Sequence, residues 1–585
     1  MQLTSLDWII VALSIAVSFA PALWLARRAS SSTAEFFTSG RAAPWWLVGV
    51  SMVATTFSTD TPNLVTNIVR EGGVAGNWAW WAFLLTGMTT VFFYARLWRR
   101  LGVLTDLEFY ELRYSGPVAS WVRGFRAVYL GVVFNVVIMA SVNLAAAKIA
   151  NVLLGWSMGQ TLLVCGVLNV LFAATSGLWG VLVTDFIQFG IAMTGSFAAA
   201  YYAVRHPAVG GLDSLFVRIP PATLAMVPDF SDWSAALSIF IIPLTVQWWS
   251  TWYPGSEPGG GSYVAQRMLA ARSERDALAG TLLFNAAHYA LRPWPWIVVA
   301  LASMLVFPRV EDIRAALPHV DPSLVGHDMA YPAMLTFLPP GVLGVMVAGL
   351  LAAYVSTIST HLNWGTSYLV HDLYRRFLRP DATERHYVMA GRIVTVALMI
   401  AAGSLTLVLQ SARATFELLL SIGAGTGLLY LLRWFWWRIN AWSEIAAMAS
   451  SFLLAVVVLV LQRQGLFVSS PVTLVITVVL TTLVWLAATW LTPPTDRETL
   501  LRFYRLVRPA GPGWTEVRAA CGDLAPADDL RAASIGTFAA CVTVYSALFG
   551  VGHWLMGHNT AAAISAVTFV GATIVTIRAM VRLWR

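Results

Sequence analysis

The chain has 585 residues, 58% of them hydrophobic and 11% charged, with 37 Lys and Arg against 29 Asp and Glu for a formal charge of +8. Soluble domains carry roughly 25% charged residues, so this composition, with a mean hydropathy of +0.70, leaves little soluble mass and points to a polytopic membrane protein. The positive charges are spread over short loops and form no patch, which excludes nucleic acid as a partner and leaves the lipid bilayer.

In lipid only helices and closed barrels satisfy their own backbone, and apolar runs of 18 or more residues recur from end to end, so an all-α protein is predicted. Candidate spans, about fifteen, fall near 6–26, 44–71, 74–98, 119–151, 158–176, 178–203, 232–256, 276–307, 331–371, 385–409, 414–435, 440–462, 470–492, 533–555 and 559–582. The first run follows the slightly acidic "MQLTSLD" and is read as a retained span, since a cleavable signal has a basic leading region. Alternating sides from an outside N-terminus places most of the 37 Lys and Arg on the cytoplasmic side, in "ARRASSS", Arg96 to Arg126, "QRMLAARSER", Arg375 to Arg392, "LRWFWWR", 493–532 and the C-terminal end. That asymmetry predicts a plasma-membrane protein with its N-terminus outside and its C-terminus cytoplasmic. The Pro-, Arg- and Asp-rich loop 493–532 reads as a linker with too little apolar content for a core. Cys165, Cys521 and Cys541 have no paired spacing and read as unpaired thiols, two of them in apolar runs.

Two spans lapse from the apolar pattern. Within 44–71 stands "ATTFSTDTPN", where Pro62 removes a donor and disfavours helix at Asp60 and Thr61. Within 232–256 stands "IIPLTVQWWSTWYPGSEPGGG", with Pro243 and then Gln247. Freed backbone groups survive in a membrane only where they line a protein cavity or hold something polar. Either lapse alone is also explained by a packed proline kink. As second and seventh spans they would each open one of two five-helix repeats, and an odd number of helices per repeat inverts the second, the architecture in which broken helices hold substrate and coupling ion. Further on, Ala353, Ser356 and Thr357 share one helix face. Hydroxyl and carbonyl oxygens there suit a monovalent alkali cation, whereas divalent ions call for several carboxylates; small hydroxyl residues equally serve close helix packing.

The motifs "FFTSGRAAPWWLVGVSMVATTFS", "SGLWGVLVTDFIQ", "YVAQRMLAARSERDALAG", "LAAYVSTIS" and "LLRWFWWRINAWSE" together resemble the sodium:solute symporter family, relatives of the sodium–proline, sodium–galactose and sodium–pantothenate carriers, over roughly residues 5–460. The resemblance implies an inverted five-plus-five helix repeat of the leucine-transporter type with flanking helices. Its parts would be a leading helix and loop (1–43), a ten-helix core (44–435, repeats 44–203 and 232–435), two accessory helices (436–492), a cytoplasmic loop (493–532) and two C-terminal helices (533–585). It implies a sodium site made by the carbonyls of Ala54, Phe57 and Ala353 and the hydroxyls of Ser356 and Thr357, with Asp185 on the ion's route to the cytoplasm. No phosphate-binding loop, His and Cys metal cluster or nucleophile–base constellation appears, so no enzyme activity is expected, and no cofactor beyond sodium as coupling ion. Position 56 is threonine where proline carriers have aspartate, so the solute stays open.

Arg292 lies about midway along its span, where an arginine faces a cavity or a partner. It either meets an anionic group of the solute or pairs with Asp60 or Asp185. Thr56, Ser58, Asn77, Trp78, Asn143, Gln247 and Trp249 complete the candidate solute contacts; the tryptophans serve equally as interfacial anchors and the amides as interhelical bonds. Lys148 reads as snorkelling at a helix end. The function expected is inward transport of a small polar organic solute with sodium by alternating access. Proton coupling through Asp60 or Asp185 and a non-transporting solute sensor are the alternatives, and nothing resembles a channel's filter ring.

Overall fold

The computed structural model describes residues 3–29, 31–252, 257–409, 412–466 and 471–584. Every regular element among them is a helix. Nine described helices are long and apolar enough to cross a bilayer unaided, Gly116–Leu154 and Val342–Leu378 among them; Ser5–Pro21, Trp45–Thr55 and Met158–Ala174 are apolar but shorter. The sequence therefore divides the chain into crossings correctly in outline, and the shortfall in length falls partly where helices are interrupted or kinked. The expected boundary between 158–176 and 178–203 is such a kink, at Gly177 with φ 55° and ψ −169°. The expected single span 331–371 is two elements, Ala330–Leu335 and Val342–Ser367, because Pro339, Pro340 and the positive φ of Gly341 end one helix and start the next.

The first interrupted span is Trp45–Thr55 followed by Asp60–Gly72. The gap is Thr56 to Thr59, and Asp60 and Thr61 are already helical. Pro62 sits in the first turn of the second half-helix, where its missing N–H has no intrahelical partner to lose. Pro62 thus begins a helix where the sequence reading had it interrupt one. The second interruption is also displaced. Helical backbone runs from Trp233 through two π-wound turns, Leu237–Ile241 and Pro243–Gln247, to Ser250, and resumes at Ser262–Ala270. The wider π turn absorbs Pro243 without a break. The real gap is the Gly/Pro-rich stretch after Thr251, of which residues 253–256 lie outside the described residues.

Specific side chains fasten the long helices. Asp7 accepts from the N–H groups of Gly341 at 2.7 Å and Gly344 at 2.8 Å, holding the first helix, Ser5–Ala29, against the start of Val342–Ser367. A Cβ on Gly344 would lie 2.7 Å from the Asp7 Cα, so only glycine permits the approach. Lys148 does not snorkel: its ammonium is 2.9 Å from Asp328 and it is buried. Trp78, Trp81 and Trp252 are buried rather than lipid-facing anchors. The three cysteines are free, Cys165 and Cys541 buried.

The segment 493–532 is not a bare linker. It forms the helices Arg497–Val507 and Thr515–Ala520, and its aromatic residues borrow a core from the transmembrane body. Buried Trp514 donates to the Trp434 carbonyl at 2.8 Å and lies under the Arg113 guanidinium at 4.9 Å; Phe503 packs on Phe109 and Trp434. Asp528 pairs with Arg96 at 2.8 Å and with Arg100 at 3.1 Å, and Arg100 also meets Glu274 at 2.7 Å. The last two helices, Leu530–Leu555 and Asn559–Trp584, form a hairpin whose first member is tied to the body by Tyr545 to the Trp81 carbonyl and by Trp294 to the Leu548 carbonyl.

Candidate functional site

Hydroxyl side chains compete with the backbone for hydrogen bonds, and a run of them ends a helix where the surroundings reward the alternative. At the first interruption the half-helix Trp45–Thr55 closes with Thr56 N–H on the Met52 carbonyl at 3.3 Å and Phe57 N–H on the Ala54 carbonyl at 3.0 Å. Asp60 stands at the start of the next half-helix, receiving the Ser58 hydroxyl. At the end of the first half-helix, Arg292 donates to the Val53 carbonyl at 3.1 Å and the Thr56 hydroxyl at 3.0 Å, and lies over the Trp296 ring at 5.3 Å. Each charge therefore sits at the helix end whose dipole favours it, the acid at an N-terminus and the base at a C-terminus.

Beside the break is a cavity of about 170 Å³. Thr56, Ser58, Asp60 and Thr61 of the break line it, as do Asn285, His288 and Arg292 of the helix that runs from Glu274 to Val306, and the rings of Trp80, Phe83, Phe284 and Tyr289. Arg292 Nη2 is 2.7 Å from His288 Nδ1. The same guanidinium nitrogen is 3.3 Å from His288 Nε2, and the Thr56 hydroxyl is 3.0 Å from Nδ1. Glu257 also lines the cavity, and its carboxylate is 2.5 Å from Arg126, both side chains being about 1% exposed.

Thr55 and Thr357 border the same cavity and join it to a buried polar cluster. Thr357 donates to the Thr55 carbonyl at 2.9 Å, and the Thr55 and Thr360 hydroxyls are 3.0 Å apart. Ser356 donates to one oxygen of Asp185 at 2.6 Å and Ser51 to the other at 2.5 Å. Arg267, fully buried, is 3.9 Å from Asp185 and donates to Thr360 at 2.6 Å. The acid and the base balance, so what remains for an ion is a set of neutral oxygens. With their protons committed to Asp185 and Thr55, the Ser356 and Thr357 hydroxyls keep lone pairs to offer, which suits a monovalent hard cation. Among the described residues no group of three or more His, Cys, Asp or Glu is placed to hold a metal ion.

Of the residues singled out in the sequence, Thr56, Ser58 and Arg292 meet in the cavity, and Ser356, Thr357 and Asp185 meet at the adjoining cluster, across from the half-helix that carries Ala54 and the gap that carries Phe57; Ala353 is buried one turn before Thr357. Five others do not line the cavity. Asn77 donates to Val74 and accepts from Trp80 within its own turn, and Trp78 donates to the Met226 carbonyl. Asn143 accepts from Tyr354, Gln247 donates to the Ala79 carbonyl, and Trp249 donates to Thr245 on its own helix. Sequence reasoning passed over Asn285 and His288, although their spacing from Arg292 in "FNAAHYALR" marks a polar face on an apolar span.

A polytopic helical body with two interrupted helices, a cavity beside the first and a cluster of neutral oxygens next to it defines a secondary carrier. Comparison with known proteins agrees: the sodium:solute symporter family matches residues 36–453, and the chain belongs to that family. It is 25% identical over 470 residues to the sodium/glucose cotransporter of Vibrio parahaemolyticus, covering 77% of this chain and 84% of that one. It is 26% identical over 424 residues to a sodium/mannose cotransporter of Bos taurus, covering 68% of each. A solved structure of a Na+-coupled sialic acid symporter in a substrate-bound outward-open state superposes with a TM-score of 0.65 at 18% identity, covering 84% of this chain and 99% of that one. The fold is the inverted-repeat fold of the leucine-transporter type, in a multi-pass membrane protein of a transporter family. Sodium is the coupling ion of that family.

Proposed function

We propose that the chain carries a small polar organic solute inward together with sodium by alternating access. The observation that carries this reading is the contact of Thr357 with the Thr55 carbonyl at the break, which brings the hydroxyl face of one helix to the interrupted backbone of another. In this reading the carbonyls of Ala54, Phe57 and Ala353 and the hydroxyls of Ser356 and Thr357 hold sodium. Asp185, bonded to Ser356, lies on the ion's path to the cytoplasm. Thr56, Ser58 and Arg292 meet the solute in the cavity, Arg292 taking an anionic group. Entry of one positive charge releases about 2.3 kcal/mol per 100 mV of membrane potential, before any concentration gradient. Coupling follows if sodium orders the break that also lines the solute cavity, since each ligand then favours the state that binds the other. In this reading the N-terminus lies outside and the C-terminus in the cytoplasm, which the bias of loop charges supports.

The test is counterflow and uptake in proteoliposomes with wild type and the double variant Ser356→Ala, Thr357→Ala. Loss of sodium-driven accumulation with the fold retained is the expected result. Accumulation that keeps its sodium dependence in the double variant, or that follows pH and ignores sodium in wild type, overturns the assignment.

A further inference from the structure

Two carboxylates line the cavity, and they are not alike. Glu257 is neutralised by Arg126 at 2.5 Å. Asp60 has the Ser58 hydroxyl and the backbone N–H groups of its own helical turn, and among the described residues no arginine, lysine or histidine pairs with it. Ionisable groups inside a membrane protein are costly and face a cavity or a partner; Asp60 is half-buried and faces the cavity, and among the described residues no cation pairs with it.

The rest of the lining says which cation fits. Trp80, Phe83, Phe284 and Tyr289 contribute ring surface, and Leu64 and Val65 contribute methyl groups. An alkali ion needs oxygens to replace its water on all sides, and such a set exists nearby at Thr55, Ser356 and Thr357. A protonated amine is satisfied by one carboxylate, a hydroxyl and the faces of aromatic rings, which attract cations. We propose that Asp60 receives a protonated nitrogen of the solute, so that the substrates are small amine-bearing compounds, zwitterionic or cationic, and not neutral sugars. This rests on the reading of the cavity as the solute site of a sodium-coupled carrier. Arg292 lines the same cavity as Asp60, and a zwitterion meets both.

The experiment is a thermal-shift titration of the purified full-length chain in NaCl and, separately, in KCl. The probes come in pairs that differ by the amine: amino acids beside their 2-hydroxy acids, and amino sugars beside the parent sugars. The expected result is binding confined to amine members, at least tenfold tighter than each deaminated partner, and weakened tenfold or more by Asp60→Asn. Equal binding of a pair, binding only by the deaminated members, silence of all amine members, or amine binding that Asp60→Asn leaves unchanged each overturns the assignment. The pairwise comparison in wild type stands even where the variant fails to fold. Amine-selective binding of equal strength in NaCl and KCl would sink sodium coupling while leaving the role of Asp60 intact, so the two failures are distinguishable.

Discussion

The Ser356 hydroxyl lies 2.6 Å from one carboxylate oxygen of Asp185, and it is through this contact that the helix bearing Thr357 meets the acid of its polar cluster. Asp185 in turn faces Arg267 at 3.9 Å, both buried. Removing one partner of a buried ion pair strands the other and costs about 3–5 kcal/mol. Asp185→Asn is therefore expected to lower the melting temperature strongly, and Asp185→Asn with Arg267→Gln to be less unstable than the two single losses added. Denaturation of the four proteins in one detergent checks this; strict additivity would mean that the two groups do not interact.

Arg292 holds the Val53 carbonyl and the Thr56 hydroxyl at the end of the first half-helix. Hydrogen bonds from a charged donor contribute about 1.5–3 kcal/mol, so Arg292→Gln is expected to cost stability in that range. It should also reduce selectivity for carboxylate-bearing solutes over their amides by tenfold or more, read by competition for uptake. Reduced stability with unchanged selectivity would make Arg292 a fastening of the break alone.

Trp514 anchors the 493–532 segment through Trp434 and Arg113. Deleting a buried tryptophan side chain costs about 3–5 kcal/mol. Trp514→Ala is expected to release the segment, detected as protease cleavage between 493 and 532 at concentrations that leave wild type whole.

Acid should loosen the short helix Glu108–Arg113. Burial alone would raise the Glu108 and Glu111 carboxyls, but it is outweighed: His371 beside Glu108, and Arg376, Ser120 and Arg123 beside Glu111, hold each at about 2. A carboxyl depressed in the folded state stabilises above its unfolded value of 4.5 and loses that contribution as pH falls toward 2. Melting temperature is expected to fall between those limits, and Glu111→Gln to flatten the fall. An identical slope in the variant would refute the contribution of Glu111.

The first break could be read from sequence because four threonines, two serines, an aspartate and a proline within residues 50–65 cannot face lipid. The second was misplaced because a proline in an apolar span has two outcomes, a break or a π turn, and only packing selects between them, as at Pro243. The cluster at Ser356 and Thr357 was legible from helical spacing together with family likeness. Asn77, Asn143 and Gln247 were not assignable, since a polar residue in a span reveals that it faces protein and not which protein surface. The fold of 493–532 was hidden for a different reason. Trp514, Phe503 and Tyr504 are too few for a core of their own, but they complete one around Trp434 and Phe109, which are far away in sequence.

That shared core has a mechanical consequence. Gly513 accepts from the Trp437 N–H at 3.1 Å, Arg113 donates to the carbonyls of Arg433, Trp436 and Trp437, and Arg100 donates to the Val507 carbonyl at 2.7 Å. The chain around Arg100, Arg113 and Arg433 is thereby tied together through the 493–532 segment. Helices joined in this way are expected to move as a unit, which leaves the bending that alternates access to other helices.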